Sequence, residues 1–151
     1  MSAIKENRLN AVVTQIAAIV DESSVTVFNT VKRGELLPQS IPTGELPACY
    51  VTEGNERPLT GEWEETVAVA LPVYCTLIGK ESEVTAIRTE LVELESRLKK
   101  KLEQNDLGLA QGKLKWIGTD TPIGNQSLPI GSVMVAFMDT YAYQRTDPYL
   151  S

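Results

Sequence analysis

The sequence predicts an α+β fold, a mostly antiparallel or mixed β-sheet with two α-helices packed on one face. Three observations lead there. Apolar residues recur at helical spacing in two separate stretches, 4–20 and 82–104. Runs rich in Val, Thr, Tyr and Cys alternate at period two between and after them. The resulting order is helix, strands, helix, strands, which groups strands together instead of alternating them singly with helices.

The first helix is expected over 4–20, where Leu9, Val12, Val13, Ile16, Ala17, Ile19 and Val20 form a widening stripe before Asp21-Glu22-Ser23-Ser24 stops it. Residues 25–31 read as a strand with Val25, Val27, Asn29 and Val31 on one face. Gly and Pro punctuate 34–47, which can hold little regular structure. A short strand at 48–52 and an acidic loop at 53–61 precede the longest strand, 63–78. There Val67, Val69, Leu71, Val73, Cys75 and Leu77 share a face. Pro72 lacks an N–H and so requires an edge or a bulge.

The second helix, 82–104, is the clearest element, with Val84, Ile87, Leu91, Leu94, Leu98 and Leu102 stepping by three or four. Glu81 and Glu83 suit its start, and Lys99, Lys100 and Lys101 suit its end, where they complement the helix dipole. Glu93–Arg97 and Glu95–Lys99 are i,i+4 pairs worth about 0.2–0.5 kcal/mol each. Asn105 and Gly108 supply the stop. Strands at 113–117 and 132–145 follow, separated by a Pro/Gly-rich connector at 119–131.

At 151 residues the chain is sized for one α+β domain spanning 1–151. The N-terminus lacks an apolar leader and no apolar stretch is long enough to span a bilayer, so a cytoplasmic protein, or one released by lysis, is expected. Cys49 and Cys75 each sit in a strand-like run and read as reduced core residues. The formal charge of −6 lacks the basic footprint that nucleic-acid binding requires. The chain has no histidine, which excludes Ser-His-Asp and Cys-His catalysis and histidine metal sites.

The remaining candidates for chemistry are weak. Glu62, Glu64 and Glu65 are the densest carboxylates, yet they read as a solvated strand start. Asp139 lies on an otherwise apolar strand face, between Phe137 and Tyr141, and is expected at a partner contact or the sheet margin. Gly108, Gly112, Gly118 and Gly124 match no phosphate-loop pattern. Lys99–Lys101 read as a basic helix terminus before a phosphate contact. No catalytic residue, metal or cofactor is expected.

The long connectors 34–47, 53–61 and 119–131 stand out. They carry Leu36, Leu37, Ile41, Leu59, Ile123, Leu128 and Ile130 among prolines that limit their freedom. Stiffened apolar loops suit subunit contacts better than a catalytic cleft. Within the last connector, Trp116-Ile-Gly-Thr-Asp-Thr-Pro-Ile-Gly-Asn125 and Leu128-Pro129 precede a strand ending Tyr141-Ala-Tyr-Gln-Arg-Thr-Asp147. This run, with the upstream order of elements, resembles the tail terminator proteins of long-tailed bacteriophages. The resemblance covers most of the chain.

That resemblance implies a homo-oligomeric ring, commonly a hexamer, on the head-proximal end of the tail tube in the virion. Such a ring stops tube growth and forms the joining surface for the head, so its partners are itself, the tube protein and the head–tail connector. DNA only passes through the lumen. The family carries no catalytic residues. Leu59, Trp63, Thr121, Pro122, Ile123, Asn125, Leu128 and Pro129 are taken as candidate subunit-interface residues, an inference from the loops and not a family assignment. Another neck, head-completion or minor tail protein is the nearest alternative. A carboxylate-based small enzyme and a small-molecule binding module stay open behind it. If the last connector serves assembly, Ile123→Ser with Leu128→Ser leaves the chain folded by circular dichroism and lowers its solution mass; loss of folding would make both residues core.

Overall fold

The computed structural model describes residues 3–34, 43–59, 61, 64–81, 83–109, 112–120 and 131–149. Two α-helices, α1 (Ile4–Ala17) and α2 (Val84–Leu102), accompany six strands among them. The strands are β1 (Thr30–Arg33), β2 (Ala48–Glu53), β3 (Arg57–Pro58), β4 (Thr66–Ile78), β5 (Lys113–Asp120) and β6 (Ser132–Gln144). They form one mixed sheet in the order β1-β2-β4-β6-β5, with β3 pairing β4 off this path. The β1–β2 pair is parallel and every other pair is antiparallel. The α+β class and mixed sheet expected from periodicity are the ones observed.

Both helices pack on the same face. Leu9, Val12 and Ile16 of α1 join Ile87, Leu91, Leu94, Leu98 and Leu102 of α2 in one buried cluster. That cluster includes the whole predicted face of β4 and Val133, Val135, Phe137 and Tyr141 of β6. The predicted Arg97–Glu93 and Lys99–Glu95 pairs form at 3.1 and 3.3 Å. The α2 stop is also as expected: Asn105 Nδ2 donates to the Lys101 carbonyl, its Oδ1 accepts the Leu107 N–H, and Gly108 has φ +71°.

The expected strand at 25–31 is corrected to Thr30–Arg33. Asp21 Oδ1 accepts the N–H groups of Ser23 and Val25, and the Val25 carbonyl accepts the Asp21 N–H, closing a tight turn with Ser24 at φ +60°. Val27 then donates to Ile19, and Asn29 donates to Pro47. With those backbone groups already engaged, ladder pairing begins only at Thr30. The first helix also ends early, at Ala17, because Ile19 N–H turns back to Ile16. Val20 instead bridges Thr26.

Pro72 lies inside the central strand, and the expected edge or bulge is found on one flank, where three residues, 54–56, stand opposite two, 71–72. The flank of β4 opposite β6 is served by two short strands, β2 reaching Val73 and β3 reaching Ala70. Pro72 falls at the break between them, where only its carbonyl is used, accepting the Gly54 N–H at 2.9 Å. A missing N–H costs nothing where no neighbour would accept it.

A buried ion pair ties α1 to the sheet. Arg8 Nε and Nη2 donate to both oxygens of Asp139 at 2.7 Å each, with both side chains almost fully buried. The guanidinium also lies over the Tyr141 ring, 5.5 Å from its centroid. Tyr141 hydroxyl bonds the Glu56 carboxylate, and burial followed by that carboxylate pushes the phenol well above its usual pKa, keeping it a neutral donor. Gly112, at φ +94°, admits this packing: a Cβ there would stand 2.5 Å from Thr140 O and 2.7 Å from Arg8 Cζ. Asp139 is thus paired within its own chain, not at the partner contact or sheet margin expected. Arg8→Met should cost about 3–5 kcal/mol in urea unfolding, because it strands a buried carboxylate, whereas R8M with D139L should cost far less. Equal costs would show that the two charges do not act as a pair.

Candidate assembly surface

The six-stranded sheet has a second face, and the register identifies it. Ala68, Ala70, Pro72, Tyr74 and Thr76 of β4 pair with Ala142, Thr140, Met138, Ala136 and Met134 of β6. Paired residues share a face, so these lie opposite the helices. One corner is closed: Leu46, Ala48 and Ile78 are buried there, with Tyr50 half-buried against them. Over the rest no described helix packs: Gly54 lies close to Pro72 and Tyr74, and Ala68, Pro72, Tyr74, Met134, Ala136, Met138 and Ala142 are half-buried. A depression of about 390 Å³ opens at Pro72, lined by Asn55, Arg57, Ala70 and Met138 among others.

An open antiparallel sheet face usually alternates to polar residues. Here it is small and apolar along both central strands. The charged groups sit at its margins: Lys32 pairs with Tyr50, Arg57 with Ala70, Lys113 with Thr140 and Lys115 with Met138. All four are exposed, and the one carboxylate that the register places with them is Asp120, paired with Met134. Glu56, adjacent to Arg57, also lines the depression at Pro72, and its carboxylate is taken by the Tyr141 hydroxyl.

Of the candidate interface residues, Leu59 is exposed, with its N–H donated to Ala68 O at 2.7 Å at the rim of this open face. Trp63, Thr121, Pro122, Ile123, Asn125, Leu128 and Pro129 lie outside the described residues. The open face itself went unread in the sequence. Its signal was there, since 132–145 is apolar on both faces through Met134, Ala136, Met138 and Ala142.

The alternatives for chemistry do not converge. Among the described residues no cluster of three or more Cys, Asp or Glu side chains could hold a metal. Glu64 and Glu65 are exposed at the start of β4, and Glu62 lies outside the described residues. Lys99 is held 4.1 Å over the Trp116 ring as well as paired to Glu95, so it is engaged within the fold. Cys49 and Cys75 are free, buried thiols, and burial pushes Cys49 well above the usual thiol range, away from nucleophilic use.

No protein family matches the sequence, and no curated protein does. Among solved structures the chain is similar to one in the virion of a native gene transfer agent (GTA) particle. The two align over 93% of this chain and 95% of that one, with a TM-score of 0.56 and 15% sequence identity. The similarity extends over nearly the whole of both chains and is one of fold.

Proposed function

We propose that this chain is a structural subunit of a phage-type virion, and within it a tail-terminator ring subunit at the head-proximal end of the tail tube. The observation that carries the reading is the pairing of a virion-particle fold with an apolar sheet face that none of the described helices covers. A chain whose helices cover one side of its sheet gains by burying the other against a neighbour, at about 25 cal/mol per Å² of apolar surface. The likeness of 116–147 to the terminator family supports the finer assignment.

A ring needs a heterologous contact that closes on rotation, so each subunit offers two different surfaces. The connectors holding Leu59, Trp63, Thr121, Pro122, Ile123, Asn125, Leu128 and Pro129 are proposed to frame those surfaces. A net charge of −6 per subunit suits a lumen that DNA must traverse without sticking. The role requires no catalysis, cofactor or metal.

The test mixes purified chain with assembled phage tail tubes, imaged by electron microscopy. A ring on one end only, with further tube growth arrested, is the expected result. Bare ends and undiminished growth would contradict the proposal.

A further inference from the structure

Among the described residues the open face carries four exposed cations against Asp120 and, at the Pro72 depression, Glu56, a net charge of +2 on a chain whose total is −6. The rest of the molecule therefore carries −8. Two such faces brought together would set Lys32, Arg57, Lys113 and Lys115 against their own copies, an arrangement that like-charge repulsion disfavours. Against any other part of a second copy, the same cations meet predominantly negative surface.

The acidic supply is local as well as global. Glu64 and Glu65 are exposed just before β4 begins, at the end of the sheet. Arg145 nearby is spent on the carbonyls of Glu64 and Gly61, at 2.6 and 2.7 Å, so it is engaged with backbone.

We infer that the open sheet face is one half of a head-to-tail contact between copies of this chain, its other half being the acidic β4 end of the next copy. The strands β4, β6 and β5 contribute 13, 13 and 8 residues. At about 3.3 Å rise and about 4.8 Å spacing they make a footprint of about 500 Å². A standard interface buries about 800 Å² per partner, so this face supplies most of one side and flanking loops the remainder. Its small side chains, Ala68, Ala136 and Ala142, let the neighbour approach closely, while Tyr74, Met134 and Met138 offer adaptable contact area. The lysines at its margin steer the approach and select the acidic end over a second open face. Seating the cations in the contact also leaves the more acidic remainder free to line a lumen.

The inference rests on the ring reading above, and the two fail separately. The experiment is carbodiimide cross-linking of the full chain, with equal amounts of isotopically light and heavy copies so that mass spectrometry reports only links between molecules. Links from Lys113 or Lys115 to Glu64 or Glu65 are expected. K113E with K115E should keep the fold by circular dichroism and weaken self-association about tenfold or more, and E64K with E65K should restore it. A monomer at every concentration, links confined to other surfaces, or undiminished association of the double variant would each overturn the inference. Capped tubes formed by that double variant would overturn it while leaving the terminator reading intact. Head-to-tail links from a chain that ignores tubes would do the reverse.

Discussion

Arg8 and Asp139 hold the molecule's two layers in one arrangement. Burying two charges is costly, and the pair is tolerable because both carboxylate oxygens accept a guanidinium N–H, each at 2.7 Å. Such a pair has few alternative partners, so it specifies geometry more than it adds stability. It places α1 over β6 on the helix side, and α2 follows by sharing the same apolar cluster. Gly112 is part of the same solution, since only a residue without a Cβ fits between Thr140 O and the guanidinium. Once both helices are committed to one face, the other has none of the described helices to cover it.

That asymmetry links the fold to assembly. A sheet covered on both sides would be self-sufficient, whereas this one leaves alanines, a proline and two methionines facing outward along its longest strands. The β5 edge is better protected. On β5, the Leu114 carbonyl and N–H bond Gln104 and Asn105, and Glu103 accepts the Trp116 N–H. A bulge between Trp116 and Gly118 follows. These are the devices that discourage strand-to-strand aggregation. A blocked β5 edge and a face without a described helix over it together favour contact through the sheet surface over lateral addition of strands at β5.

Much of the fold was legible because its periods are clean. The α2 stripe and the Val67-to-Leu77 alternation each bury one face, and the structure reproduces both. The start of β1 was not legible, because β-branched residues at 25–29 advertise a strand while Asp21, Ile19 and Pro47 take up their backbone groups. The Arg8–Asp139 pair joins residues 131 apart, beyond any spacing rule, and Asp139 alone looked like a residue awaiting a partner subunit. The open face was half legible. Its residues were visible as the second face of two strands, but their meaning depends on knowing that both helices lie opposite. Leu59 sits at its rim, whereas Thr121 and Ile123 fall outside the described residues.

On the proposed reading, the helix face makes the fold and the open face makes the assembly. Met134 and Met138 report on it directly, being half-buried thioethers of β6 on the open face. Their oxidation by dilute peroxide can be followed by mass spectrometry at concentrations below and above self-association. The account predicts that both oxidise several-fold more slowly in the assembled protein. Unchanged oxidation rates in a chain that has plainly assembled would contradict it, and would place the contact on some other surface.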